Sequence, residues 1–150
     1  MNWKYCGEIR LGTGGKLEFP TVIAVPGVYR LILNDGWYYI GEAGNVSHRL
    51  WEYGHPTTGV IAEHRLHQAL KNAGGAIVEM LTDGNMKEKS TRCAIETDAI
   101  RSARLEGAKV LNGGGTDSEY AISLDIAYHE REIEKLRRKL CAISSTERAN

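Results

Sequence analysis

Residues 27–41, with the sequence GVYRLILNDGWYYIG, constrain the fold of this chain more than any other segment. Apolar and aromatic residues lie on both sides of Asn34-Asp35-Gly36, a pattern that predicts two strands joined by a tight turn. The predicted strands are Val28 to Leu33 and Trp37 to Gly41. The segment therefore predicts a β-hairpin whose turn sets the register that brings Tyr29 and Tyr39 together.

Helix and strand signals alternate on both sides of this hairpin. Short strands are predicted over Cys6 to Leu11 and Ala76 to Leu81, with an apolar stub at Val110 and Leu111. Four helical segments follow side chains that are able to cap a helix. The first helix is predicted from a cap at Asn45 or Ser47 to about Tyr53, and the second from Val60 to Asn72 with Thr58 as its cap. The third is predicted from Thr91 to Leu105 with Ser90 as its cap, and the fourth starts at Asp117 and reaches about Ile143. The order predicts an α+β fold, with a small antiparallel sheet, helices over one face and a long C-terminal helix.

Length and composition narrow the class of protein. A chain of 150 residues is long enough for one domain with a substantial core, so we expect a single domain over residues 1–150. The formal net charge is zero, which argues against nucleic-acid binding by bulk charge alone, although 19 Lys and Arg residues leave room for a local basic groove. The three cysteines form no CxxC pair, so we expect a reduced, cytoplasmic setting. No apolar run approaches the length of a membrane span, and no membrane association is expected.

Two helical residues are hard to explain by packing alone. Arg49 and Tyr53 are four residues apart and so lie on one helical face, where the simpler interpretation is an exposed cation beside a half-buried tyrosine. Glu96 lies on the apolar stripe of the third helix, between Cys93 and Ala99. A carboxylate there needs a metal ion or a buried arginine as its partner, unless it lies at the rim and reaches water.

Polar residues elsewhere are more ambiguous. Asn112 precedes three glycines and by itself is typical of a turn. His64 and His67 are three residues apart on the second helix, but no third side chain is placed to complete a metal site. Together with Arg65 and Lys71 they are candidates for DNA contact, and a solvated helix face is an equally good interpretation.

Taken together, these residues resemble the GIY-YIG nuclease family. The two name-giving motifs read Gly27-Val28-Tyr29 and Tyr39-Ile40-Gly41, and YIGEAGNVSHRLWEY matches the run that follows the second motif. Arg49 falls ten residues after Tyr39, and Tyr53 follows four residues later. Glu96 and Asn112 complete the set in the right order. The resemblance covers a catalytic core over about residues 22–112, followed by the helix over 117–143.

The resemblance implies a metal-dependent DNA endonuclease that hydrolyses phosphodiester bonds. Glu96 would hold a divalent cation, Mg²⁺ or Mn²⁺, and Arg49 would neutralise developing negative charge. Tyr29 would accept the proton of the attacking water, while Tyr39 and Tyr53 would orient that water and the phosphate. Such a base is effective only where cations favour the phenolate, because an unperturbed tyrosine has a pKa of about 10.

Two positions depart from the family pattern. Members often carry a lysine three residues after the second motif tyrosine, where this chain has Glu42. The interval from Glu96 to Asn112 is also a few residues longer than expected, which an extra helical turn would absorb.

Within the family that the chain resembles, a chain of this length is similar to standalone enzymes that cut double-stranded DNA at specific sites, as type II restriction enzymes do. The alternatives are a phage or repair-type nuclease that nicks particular DNA structures, and an inactive DNA-binding module of the same fold. The final helix carries an apolar heptad pattern, which either docks on the domain core or pairs with another subunit. Its members are Ile122, Ile126, His129, Ile133, Leu136, Leu140 and Ile143. We expect a homodimer or a higher homo-oligomer.

Overall fold

The computed structural model describes residues 1–57, 59–111 and 119–149 of the chain. The chain divides into two compact units, Met1–Gly115 and Thr116–Asn150. The first unit holds the sheet, three helices and most of the predicted site residues. The second holds the C-terminal helix.

Six strands form one sheet in the order β2-β1-β5-β3-β4-β6. Their bounds are β1 Lys4–Leu11, β2 Leu17–Glu18, β3 Gly27–Leu33, β4 Trp37–Ala43, β5 Gly75–Leu81 and β6 Lys109–Val110. Four neighbouring pairs are antiparallel, and the two-residue β6 runs parallel to β4. The α+β class is therefore confirmed, with a mixed sheet in which β3 and β5 lie at the centre.

The predicted hairpin is formed by β3 and β4. The Gly36 amide donates to the Leu33 carbonyl at 2.9 Å, and Gly36 has a φ of 91°, which a glycine adopts without strain. Tyr29 lies opposite Gly41, and Leu31 lies opposite Tyr39. All four residues consequently share one face of the sheet.

Four helices accompany the sheet: α1 Val46–Gly54, α2 Ile61–Ala73, α3 Lys89–Leu105 and α4 Glu119–Ala149. Asn45 caps α1, since its side-chain oxygen accepts the His48 amide at 3.0 Å. Gly74 ends α2 in the left-handed conformation, with a φ of 78°.

One predicted helix cap is wrong, and two predicted helix starts lie outside the described residues. Ser90 is wrong as the cap of α3, because the helix already begins at Lys89. The carbonyls just before α3 are held by the Arg92 side chain, which brings the chain into the helix before Ser90 is reached. Thr58 and the predicted helix start at Asp117 lie outside the described residues.

Helices pack on both faces of the sheet, not on one face as predicted. Tyr29 and Val28 are neighbours in β3 and point to opposite faces. The Tyr29 hydroxyl bonds to Tyr53 of α1, whereas Val28 packs in one cluster with Ala99 of α3. The sheet therefore lies between α1 and α2 on one side and α3 on the other, and strand β3 has an apolar residue on each face.

The C-terminal helix α4 has 31 residues and confirms the predicted long helix. Most of its described side chains are exposed, including the heptad residues Ile126, Ile133, Leu136, Leu140 and Ile143. Across the described ranges, no helix combines the length and apolar character that crossing a membrane requires.

Candidate active site

The hairpin register places Tyr29 across the neighbouring strand. A Cβ atom added at Gly41 would lie 2.6 Å from Cζ of Tyr29, closer than real Cβ atoms come to other atoms. Only glycine at position 41 allows the Tyr29 ring to lie over β4. The ring centroids of Tyr29 and Tyr39 are 6.4 Å apart as a result.

The first motif glycine has a similar steric reason. A Cβ atom at Gly27 would lie 2.8 Å from the main-chain oxygen of Leu81 in the adjacent strand β5. Backbone atoms in the middle of a sheet have little freedom to move away. The glycine of each motif thus permits a close approach that any other residue would block.

Three tyrosine hydroxyls meet above this part of the sheet. The helix capped by Asn45 brings Tyr53 over the hairpin, where its hydroxyl oxygen lies 2.5 Å from that of Tyr29 and 3.3 Å from that of Tyr39. The Nδ1 atom of His67 in α2 lies 2.8 Å from the main-chain oxygen of Tyr53. Two helices therefore fix the position of Tyr53. The hydroxyls of Tyr29, Tyr53 and Tyr39 form a connected series, which we call the tyrosine chain.

Burial strengthens the preference of these tyrosines for the neutral form. It raises the pKa of Tyr29 well above the ordinary value, and the neighbouring Tyr53 and Tyr39 raise it further. Burial likewise raises the pKa of Tyr53 and of Tyr39. Tyr29 is 1% exposed and Tyr53 is buried, whereas Tyr39 is only half-buried. Among the three connected tyrosines, Tyr39 therefore lies nearest to solvent.

Arg49 lies beside the tyrosine chain. Burial lowers its pKa, but the nearby Tyr53, Tyr29 and Glu52 raise it overall. Its Nη1 atom donates to Glu52 at 2.9 Å, and the Arg49 side chain remains 40% exposed. Arg49 can thus act on the tyrosine hydroxyls and still reach an anion in solvent.

Glu96 approaches the same place from α3. Its pKa is raised by burial and by the Glu42 carboxylate. Burial raises the pKa of Tyr39 as well, and the nearby Glu96 carboxylate adds to that effect. Glu96 is therefore a half-buried carboxylate at the rim of α3 and within electrostatic reach of the tyrosine chain.

The Glu96 carboxylate suits a hard divalent cation. Magnesium and manganese prefer oxygen ligands, and Mg²⁺ often binds through one or two carboxylates with water and substrate phosphate. A cation there would also offset the repulsion between Glu96 and Glu42 that raises the Glu96 pKa. Across the described part of the chain, no group of three or more His, Cys, Asp or Glu side chains is placed to hold a metal ion.

Glu42 occupies the position where the family pattern has a lysine, and the structure pairs it with a buried arginine. Arg92 of α3 donates from Nε to the Glu42 carboxylate at 2.7 Å, and from Nη1 to the carbonyls of Met86 and Lys87 at 2.8 and 2.9 Å. Arg92 is 6% exposed and lies one turn before Glu96. The positive charge next to this position therefore comes from Arg92 on α3 and not from a lysine on β4.

The residues predicted to contact DNA are half-buried along α2. His67 holds the Tyr53 carbonyl, and the Nε2 atom of His64 lies 3.1 Å from the Thr57 carbonyl. These ring nitrogens therefore organise the backbone next to the site. Contact between DNA and His64, Arg65, His67 or Lys71 stays a prediction.

The structure brings together five of the six residues predicted to be catalytic: Tyr29, Tyr39, Arg49, Tyr53 and Glu96. The sixth, Asn112, lies outside the described residues. Sequence reasoning missed Arg92 and Glu52. The i,i+3 spacing of Arg49 and Glu52 was a usable signal for the second, but nothing local marks Arg92 as the partner of a residue 50 positions away.

No family model, no curated protein and no solved structure matches this chain.

Proposed function

We propose that this protein is a metal-dependent DNA endonuclease of the GIY-YIG type that hydrolyses phosphodiester bonds. The observation that carries the proposal is the convergence of three tyrosine hydroxyls, the Arg49 guanidinium and the Glu96 carboxylate. Burying hydroxyl groups costs free energy that apolar residues would not cost. Their arrangement beside a half-exposed arginine is what a site for an anionic substrate requires.

Arg49 is the residue we assign to the scissile phosphate. Its planar guanidinium stays protonated at any physiological pH and offers several parallel donors to phosphate oxygens. Glu52 holds one of its nitrogens, which orients the group before substrate arrives. A cation such as Mg²⁺ or Mn²⁺ at Glu96 would supply further charge stabilisation at the phosphate and the leaving 3′ oxygen.

The resemblance implies that Tyr29 accepts the proton of the attacking water, and the burial of Tyr29 refines that role. In the protein without DNA, the raised pKa keeps Tyr29 neutral. Tyr39 is closer to solvent and to Glu96, so we propose that the water contacts Tyr39 first. Tyr53 connects the Tyr39 hydroxyl to that of Tyr29 and holds the orientation of both.

Double-stranded DNA is the substrate we propose, with cleavage at specific sites. Arg65 and Lys71 of α2 would contact backbone phosphates, and His64 and His67 would hold the adjoining backbone as they do here. A duplex has two strands and each chain carries one candidate site, which favours a homodimer. Action in the cytoplasm is part of the same proposal.

A plasmid cleavage assay tests the proposal. We expect the purified protein to cut supercoiled DNA with Mg²⁺, and Arg49→Ala and Glu96→Gln each to lose about 100-fold or more in rate. Asp98→Asn is the matched control, since Asp98 is an exposed carboxylate on the same helix and should leave the rate unchanged. Absence of cutting on plasmid and on branched DNA, with metal binding unaffected by Glu96→Gln, would overturn the enzyme assignment.

Mapping the cut positions separates the two kinds of nuclease. Defined positions on intact duplex support a restriction-like enzyme. Cuts that occur at branches or flaps, whatever the base sequence, indicate a nuclease that recognises DNA structure.

A DNA-binding module without catalysis is the competing function. The buried hydroxyl of Tyr29, with its raised pKa, is the observation that favours it. Under that alternative the wild-type protein binds DNA without cutting it, and Glu96→Gln binds DNA with unchanged affinity and no dependence on Mg²⁺.

A further inference from the structure

Arg92 has a donor group that the fold leaves without a partner. Its Nε atom donates to Glu42, and its Nη1 atom donates to the carbonyls of Met86 and Lys87. Its Nη2 atom donates to no group within the described residues. Arg92 is only 6% exposed, so water reaches little of this guanidinium. A buried N–H donor without an acceptor costs free energy, and a ligand that offers an oxygen atom would remove that cost.

The Nη2 atom of Arg92 lies at the start of helix α1. If a Cβ atom were added at Gly44, its nearest heavy atom outside the adjoining residues would be this Nη2 atom, at 3.7 Å. Gly44 directly precedes Asn45, the residue that caps α1. Gly44 and Asn45 are both exposed. The buried donor therefore lies directly behind a segment of backbone that faces solvent.

Backbone amides at the start of α1 also lack acceptors. The capping side chain accepts the amide of His48, and the Val25 carbonyl accepts that of Val46. The amides of Gly44 and Ser47 have no acceptor in the part of the chain that the structure describes. Helix α1 has nine residues, and the N-terminus of a helix carries partial positive charge that favours anions. The helix start and the buried guanidinium therefore offer donors to the same kind of ligand.

An open hollow borders these donors. It has a volume of about 470 Å³ and is lined by Asn45, Ser47, His48 and Trp51. A space of this size holds a phosphate group together with the sugar attached to it. None of the four lining side chains is acidic, so the hollow itself places no negative charge against an anion.

The neighbouring charges fit a phosphate. The Glu42 carboxylate would repel an anion, but its charge is balanced by Nε of Arg92. Arg49, which we assign to the scissile phosphate, follows Asn45 by four residues on the same helix, a rise of about 6 Å. Phosphates that follow one another along a DNA strand are close enough for both places to be occupied at once.

We infer that Nη2 of Arg92 and the amides of Gly44 and Ser47 bind a phosphate of the DNA backbone, next to the phosphate that Arg49 holds. The inference rests on the proposed function for the identity of the DNA, and it adds a binding site outside the set of catalytic residues. All of its residues belong to the Met1–Gly115 unit. A backbone contact of this kind sets affinity and register and reads no base.

Gly44→Ala tests the site without disturbing the fold. Gly44 lies outside the left-handed region, and the added methyl group would be at an ordinary contact distance from Nη2 of Arg92. The variant should therefore unfold in urea as the wild type does, while its methyl group takes the space in front of the donor. In ¹H–¹⁵N NMR spectra of the full wild-type chain, inorganic phosphate should shift the Ser47 amide saturably, and chloride should not. The phosphate affinity should fall about tenfold in Gly44→Ala.

Arg92→Lys tests the guanidinium itself. Lysine keeps a positive charge beside Glu42 but has no second terminal nitrogen, so phosphate affinity should again fall about tenfold. Arg101→Lys is the matched control, because Arg101 is an exposed arginine on the same helix and should bind phosphate as the wild type does. Urea denaturation shows whether each variant is folded. Equal phosphate affinities in Gly44→Ala and the wild type overturn the site, whatever Arg92→Lys does.

Fluorescence anisotropy with a labelled DNA duplex, without divalent cations, tests the identity of the ligand. Loss of one phosphate contact lowers the slope of log binding constant against log salt concentration by about 0.9. Gly44→Ala should show this reduction on every duplex sequence. If the wild type binds duplex and Gly44→Ala keeps the same slope, the inference is overturned and the proposed function stands. If the wild type binds inorganic phosphate but no DNA, the DNA assignment fails for both.

Discussion

Tyr29 shows at the residue scale how the site restricts its own chemistry. Its ring lies over Gly41, its hydroxyl bonds to Tyr53, and its side chain has almost no contact with solvent. A phenol in these surroundings loses its proton reluctantly, because the phenolate would be buried without water. Arg49 offsets this effect in part. The phosphate and cation that we propose for the site would therefore determine when the tyrosines can take part in proton transfer.

Alkaline pH should expose this property of Tyr29. Its folded-state pKa is raised and the unfolded value is about 10, so its stabilising contribution is complete below pH 10 and is lost as pH rises further. Urea denaturation between pH 8 and 11 should show a falling free energy of unfolding above pH 10. The free energy of unfolding of Tyr29→Phe should fall less steeply with pH. At neutral pH this variant should be about 1 kcal/mol less stable than the wild type, because Tyr53 loses its hydrogen bond to Tyr29.

Tyr5→Phe is the control for the alkaline experiment. Tyr5 is 64% exposed, so its replacement should leave both the slope and the neutral-pH stability as in the wild type. Equal slopes for Tyr29→Phe and wild type would contradict a buried, neutral Tyr29.

At the scale of elements, Arg92 joins three parts of the fold. It ties the first turn of α3 to the Glu42 carboxylate of β4 and to two carbonyls of the preceding loop. The contact also sets where α3 begins, and therefore where Glu96, one turn later, meets the tyrosine chain. Glu42 thus has a structural partner that accounts for an acidic residue at this position.

Removing Arg92 should destabilise the protein strongly. Arg92→Ala leaves the largely buried Glu42 carboxylate unpaired and two carbonyls without a donor, which should cost about 3 to 5 kcal/mol of unfolding free energy. Chemical denaturation at pH 7 measures this loss. Arg101→Ala on the same helix breaks an exposed pair with Asp98 and should change stability by less than about 1 kcal/mol. A similar effect of both substitutions would show that the Arg92 pair contributes little.

At the scale of the whole molecule, a net charge of zero means that long-range attraction would do little to draw the proposed DNA substrate to the protein. Affinity has to come from local cations and from the number of sites that engage at once. Two linked sites raise the effective concentration of the second one at the DNA. The proposed homodimer would therefore bear on the second strand cut more than on the first.

Several elements were predictable because their signals are local. The turn at Asn34-Asp35-Gly36, the Asn45 cap and the Gly74 helix end each depend on residues within one turn of chain. The register set by this turn was predicted to bring Tyr29 and Tyr39 together, and the strand pairing places both on one face. The sequence by itself therefore determined most strand and helix positions, and it singled out the five side chains that lie near one another beside the hairpin.

Only the tertiary structure decided how distant elements pack. Helices cover both faces of the sheet because β3 is apolar on both faces, which the hairpin pattern did not reveal. The pairing of Arg92 with Glu42 links residues 50 positions apart, and the Tyr29 pKa depends on what surrounds the ring on every side. Burial and long-range pairing are properties of the packed chain, and no short stretch of sequence contains them.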